Sequence, residues 1–244
     1  MLNIKNVTIA VETKQLLHNI SFSIDAGKVH MLIGSNGSGK STLAYALMGH
    51  PRYSVINGSF YFNEKNITQF STEQRAREGM FLALQQPVML PGVSVYTLLK
   101  EAWRVRSESL FSLTVFDERI LAKARLLELD ETMLHRPLDS GFSGGQKKKL
   151  EMLQLLVLRP KCAIIDEIDA GLDSDAFRCI GKALQKLREE NPQVALLVIS
   201  HNERMLEFLK PDAVHVMIDG RIVQTGDQSV MVACSRKGYH GTCR

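Results

Sequence analysis

Residues 26–50 read AGKVHMLIGSNGSGKSTLAYALMGH: a turn, a short apolar run, a glycine-rich loop and an apolar helix, in that order. The stretch 34-GSNGSGKS fits G-x-x-x-x-G-K-[ST] in full, between a predicted strand and a predicted helix as that motif requires. Glycines 34, 37 and 39 let the backbone curl so that successive N–H groups and the helix N-terminus face the β- and γ-phosphates of a ligand. Lys40 adds a point charge there, and the Ser41 hydroxyl is placed to ligate Mg²⁺. The expected nucleotide-binding set is Gly34, Ser35, Asn36, Gly37, Ser38, Gly39, Lys40, Ser41 and Thr42, and the expected ligand is a nucleoside triphosphate.

A second half of such a site is legible at 162-CAIIDE. Four apolar residues bury a strand, and Asp166 emerges at its carboxyl end, where it is expected to hold Mg²⁺ through water. Glu167, one residue farther out, is suited to orient and deprotonate a water that attacks the γ-phosphorus. At 199-ISH a third strand ends in His201, placed to reach the γ-phosphate; a lone histidine at a strand end is more often structural. The segment 142-FSGGQKKK offers a second anion nest, from Ser143, the Gly144 and Gly145 amides and the helix N-terminus that follows. Lys147 to Lys149 read as a solvated helix face.

Around these motifs, Leu2, Ile4, Val7 and Ile9 roughly alternate, and Ile20, Phe22 and Ile24 do so strictly, which predicts strands. With 58-GSFYFN they suggest an antiparallel β layer around the first strand–loop–helix unit. Ser71 and Gln74 stand at capping-box spacing. Residues 80–85 read as a buried strand, 95–140 as a helical insert, and 144–228 as helices alternating with strands at 162, 194, 213 and 221. That alternation argues a parallel sheet with helices on both faces. No element is evident in the basic tail from Gln228 onward.

Composition bounds the rest. The chain has 244 residues, ample for a core, and 30 Lys+Arg against 26 Asp+Glu leave +4, too evenly mixed to argue for a nucleic-acid or membrane surface. Its four cysteines form no Cys-x-x-Cys pair, so a reduced, cytoplasmic compartment is expected. No apolar run approaches the ~18 residues of a spanning helix, and neither direct membrane insertion nor nucleic acid binding is expected.

The ordered set of phosphate loop (34–41), Gln85 ending a strand, FSGGQ (142–146), IIDE (164–167), GLD (171–173) and His201 resembles the ATP-binding cassette (ABC) ATPases over almost the whole chain. The resemblance implies an α/β P-loop NTPase fold with a mixed or parallel core sheet, an antiparallel β layer and a helical subdomain. The ABC domain is expected at 1–228, with 1–85 and 155–228 as catalytic core and β layer, 86–154 as helical subdomain, and 229–244 as tail. It also implies ATP as the nucleotide, and two cassettes packed head to tail, so that Ser143, Gly144, Gly145 and Gln146 of each complete the nucleotide site of the other. Gln85 would sense Mg²⁺ and the attacking water, Glu167 and His201 would act in hydrolysis, and the Asp173 loop would meet its counterpart across the dimer. Val11 stands where many cassettes place an aromatic against adenine.

Most transporter cassettes follow the catalytic glutamate with a Pro-Thr-Ser-Ala-Leu-Asp type of segment, whereas this chain has 167-EIDAGLDSDA. With 87-PVMLPGVS, 141-GFSGGQKKK and 210-KPDAVHVMIDGRIVQTGD, that segment resembles the SufC ATPases of the SUF iron–sulfur cluster assembly machinery. The resemblance implies SufB/SufD-type scaffold proteins as partners and an ATP-dependent homodimer within the complex. The other reading is the nucleotide-binding subunit of an ABC transporter. A chromosome-maintenance head domain would need a long coiled-coil excursion, for which the about 55 residues between Gln85 and Phe142 leave no room.

Overall fold

The computed structural model of the protein describes residues 1–84, 90–106 and 112–239. The chain divides into two units: Met1–Leu82 with Lys161–Glu167 and the segment from Gln193, and Ala83–Pro160 with Ile168–Pro192. The helix at 174–190, grouped with the catalytic core in the sequence expectation, is counted in the second unit.

In the first unit, β1 (Leu2–Val11), β2 (Lys14–Ile24), β4 (Ser54–Phe62) and β5 (Lys65–Asn66) form a four-stranded sheet in the order β2-β1-β4-β5, antiparallel throughout. The core sheet contains β3 (Val29–Ile33), β6 (Met80–Ala83), β7 (Cys162–Asp166), β8 (Ala195–Ile199), β9 (Ala213–Ile218) and β10 (Arg221–Gly226), in the order β10-β9-β3-β8-β7-β6. The pairings β9–β3, β3–β8 and β8–β7 are parallel and β10–β9 is antiparallel, so the sheet is mixed. All five residues of β7 and all five of β8 are buried, which is why they read as continuous apolar runs. One cluster of buried residues joins Ile4, Ile9 and Phe60 of the antiparallel layer to Leu43 and Leu47 of α1 (Lys40–Leu47) and to Ile164 and Leu197 of the core sheet. The phosphate loop thus leaves one sheet and enters a helix held by both.

α1 ends without a basic residue in its own last turn. Arg75, on α2 (Thr72–Glu78), does that work from a distance. Its buried guanidinium donates to the carbonyls of Ala46 and Leu47 at 2.9 and 2.8 Å, and to Phe70 and Thr68 at 3.0 and 2.9 Å. Two of these are orphan carbonyls of a helix end, and satisfying them fixes where the helix stops. Burial lowers the Arg75 pKa to about 10, still far above neutrality. The α2 capping box forms as its spacing predicts: Ser71 Oγ accepts from Gln74 N, and Gln74 Oε1 accepts from Ser71 N.

The second unit contains α3 (Val95–Arg106), α4 (Leu113–Leu126), α5 (Gly144–Leu158) and α6 (Ser174–Glu190). Phe177, Ile180, Leu184 and Leu187 follow the three-and-four spacing of one apolar face on α6 and are buried. Glu190, at the end of that helix, takes both Lys123 of α4 and Arg159, the latter at 2.7 Å. Returning to the first unit, the tail after Gln228, for which the sequence suggests no element, forms α7 (Gln228–Lys237), capped by the Asp227 carboxylate.

A histidine pair lies on the core sheet, with His215 buried and His30 half-buried. His30 Nδ1 and His215 Nε2 are 2.9 Å apart, and His215 Nδ1 meets Thr225 Oγ1 at 2.9 Å. Burial, then the neighbouring His30, push the His215 pKa down to about 4. A depressed folded-state value means that the unfolded chain takes up the proton first. The stability this neutral imidazole contributes is complete above the unfolded value near 6.5 and is lost as pH falls toward 4. Between pH 7 and pH 5 the loss is about 2 kcal/mol. Urea unfolding at the two pH values should show it, and His215→Asn should flatten the slope; an equal slope in both proteins would refute the assignment.

Candidate nucleotide site

Three strand ends build the site. Leu32 is in register with Ile199, and Ile199 with Asp166, so β3, β8 and β7 finish on one row at the carboxyl edge of the parallel strands. Gly34, His201 and Glu167 each follow that row within two residues. Such an edge is where ligands of open α/β sheets bind.

From β3 the loop 34–39 turns into α1 with Gly39 as N-cap, at φ 107°. That backbone conformation calls for glycine; a Cβ there would also lie 2.5 Å from Leu17 Cδ2 and push that side chain aside. Lys40 is buried, and its ammonium donates to the Gly34 and Ser35 carbonyls at 2.9 Å each, which draws the loop around the cation. Burial lowers the Lys40 pKa, opposed by the attraction of Glu167 and then Asp166.

Asp166 is 2 % exposed. Burial raises its pKa, offset in part by a hydrogen bond with Ser41; Glu167 raises it further and Lys40 lowers it. Its Oδ1 has no hydrogen-bond partner. A buried carboxylate oxygen without a donor costs free energy unless a cation supplies the missing interaction. With the Ser41 hydroxyl on the same carboxylate, the pair has the all-oxygen character that Mg²⁺ takes. The residues present therefore fit the metal. Gln85, the other expected metal residue, lies outside the described residues, as does 87–89 of the segment quoted with it.

Glu167 has a left-handed backbone, φ 48°, and its N–H donates to the Ile199 carbonyl at 3.0 Å. That bond ties the residue after β7 to the end of β8. Its Oε1 lies 4.0 Å from His201 Nδ1; the glutamate side chain is 13 % exposed and the histidine 56 %. Glu167 thus meets His201 beyond the strand ends and attracts the Lys40 ammonium, which puts an acid near both basic groups at the loop.

In the second unit, Ser143 is the N-cap of α5 and closes a capping box with Gln146: Ser143 Oγ accepts from Gln146 N at 3.2 Å, and Gln146 Oε1 from Ser143 N at 2.9 Å. A Cβ on Gly144 would meet nothing within 4 Å, and one on Gly145 only Ala176 Cβ at 4.0 Å. Neither glycine is needed by its own neighbours. Asp173 caps α6, accepting from Asp175 N at 3.1 Å and Ala176 N at 2.8 Å.

Lys148 departs from the expected solvated face: it is buried and donates to the Ala170 carbonyl. Lys149 pairs with Glu128 at 3.2 Å. Pointing the middle lysine inward is compatible with the helix period, which sets successive residues about 100° apart around the axis. Two further residues escape the sequence reading. Glu151, buried on α5, accepts from the Leu84 backbone N–H immediately before Gln85; an acid inside the apolar run LEMLQLLVL is the available signal. Tyr239, in the tail, shares a cavity wall with Gly34 of the phosphate loop, and nothing in its sequence neighbourhood points there.

Comparison with known proteins agrees with this geometry. Residues 17–170 match the family described as ABC transporter. The chain is 40% identical to vegetative protein 296 of Bacillus subtilis, over 98% of this chain and 91% of that protein. It is also 40% identical to a probable ATP-dependent transporter of Synechocystis sp., over 98% of this chain and 94% of that one. The fold superposes with TM-score 0.81 on a dimeric post-hydrolysis structure of an ATP-binding cassette bound to ADP and Pi, 21% identical, covering 93% of this chain and 99% of that one. Among the described residues, no helix is long and apolar enough to cross a membrane. Phosphate loop, Mg²⁺-suited carboxylate and whole-length similarity lead to one conclusion: the chain belongs to the ABC transporter family, as an ATP-binding, Mg²⁺-dependent ATPase cassette.

Proposed function

We propose that this ATPase is the SufC-type subunit of a SUF iron–sulfur cluster assembly complex, working with SufB/SufD-type scaffold proteins. The observation that carries the reading is the segment after Glu167. Ile168 and Asp169 replace the Pro-Thr of most transporter cassettes, and both are buried, so the difference belongs to the packing of the loop and is not a surface variation.

In the proposed cycle Ser41, Asp166 and Gln85 would hold Mg²⁺. The ion, when bound with ATP, neutralises charge on the phosphate oxygens. Lys40 and the loop amides position the β- and γ-phosphates. Glu167 accepts the proton of the attacking water, and His201 contacts the γ-phosphate. Ser143, Gly144, Gly145 and Gln146 present their open helix end to the nucleotide of a second copy, with the two Asp173 loops meeting at the seam. Two glycines that their own neighbours do not require fit that arrangement, because only an approaching partner would feel a side chain there. ATP favours the closed pair over the open one, and hydrolysis releases it, which transmits a shape change to the scaffold.

The descriptions of several relatives favour a second reading, the nucleotide-binding subunit of a transporter. Affinity capture of the full chain from native extract with ATP present, followed by identification of bound proteins, separates the two. SufB/SufD-type partners are expected; a membrane permease in their place would overturn the SUF assignment.

A further inference from the structure

A cavity of about 380 Å³ lies beside the phosphate loop, lined on one side by Gly34, Ser35, Asn36 and His201. Its other side is the C-terminal segment, through Cys234 and Tyr239. α7 is anchored by the buried Val230, Met231 and Cys234. After the helix, Gly238 takes φ 74°, a positive-φ turn that sends the chain back toward the loop. Tyr239 follows, half-buried, on the wall of the cavity it shares with Gly34, its hydroxyl facing the Gly34 backbone. Burial, reinforced by Cys234, raises the Tyr239 pKa, so the phenol stays protonated and neutral at physiological pH.

Two consequences meet at this place. Gly34 is the first residue of the loop, and its carbonyl already takes Lys40. Placing the tail against it as well favours a loop conformation stabilised by contacts within the chain. The cavity also opens where His201 and Asn36 stand, which on the proposed reading is the γ-phosphate end of the site. That end is where Ser143 of a second copy would have to arrive.

We propose that α7 and Tyr239 form a C-terminal latch on the phosphate loop, which competes with nucleotide binding and with the approach of a second copy of this chain. The proposal rests on the nucleotide site and the shared-site reading above. A contact made only in the latched form lowers apparent affinity by the fraction of chains that are latched, so weakening the contact should tighten binding.

Titration of the isolated chain with a fluorescent ATP analogue and Mg²⁺ tests it. Tyr239→Phe removes the hydroxyl alone and is expected to bind about threefold tighter than wild type, the scale of one weak polar contact. Tyr239→Ala should tighten at least as much; if it fails to fold, the phenylalanine variant carries the test alone. Unchanged or weaker binding by Tyr239→Phe, while Lys40→Ala still abolishes binding, would overturn the latch and leave the nucleotide site standing. Wild-type affinity in Lys40→Ala would instead overturn the site itself.

Discussion

Lys40→Ala should show no saturation with a fluorescent ATP analogue at concentrations about a hundredfold above the wild-type midpoint. The expectation follows from where the ammonium sits. It is buried, held by the Gly34 and Ser35 carbonyls at 2.9 Å each, and attracted by Glu167 and Asp166. Alanine removes the positive charge and the two contacts that draw the loop closed, while leaving both acids in place. The phosphates would then face uncompensated carboxylates. Circular dichroism and thermal melting distinguish loss of the site from loss of the fold, because Lys40 lies at the start of a helix whose packing comes from Leu43, Ala44 and Leu47. A well-folded variant with unchanged affinity would refute the role.

Glu167→Gln should retain binding and lose hydrolysis by about 10²- to 10⁴-fold, the range for removal of a general base. Glutamine keeps the size and the Ile199-bonded backbone of Glu167 but accepts no proton at that oxygen. With hydrolysis blocked, the closed pair should persist. Sedimentation with ATP, in the presence of partners, is expected to show a dimer that Ser143→Arg prevents. The arginine would put a bulky cation at the helix end presented to the other copy. A species that remains monomeric under those conditions would count against head-to-tail sharing.

Much of the fold and the site is legible in the sequence because the chemistry concerned is local. A P-loop needs its glycines, lysine and serine within eight consecutive residues, and a capping box needs two residues three apart, so Ser71 with Gln74 stands visible in sequence; the structure adds Ser143 with Gln146 at the same spacing. Apolar runs without alternation mark β7 and β8 as buried strands, since both of their faces are covered.

What sequence does not decide is everything that depends on order across the sheet. β8 lies between β3 and β7, and only that order, with Leu32, Ile199 and Asp166 in one register, brings Gly34, His201 and Glu167 to a common edge. The same holds for side chains whose partners are distant in the chain: Arg75 at the end of α1, Lys148 turned inward to Ala170, and Tyr239 on Gly34. Periodicity records which side of its own element a residue occupies. It carries no information about which element packs against that side, and long-range packing alone brings the tail to the phosphate loop.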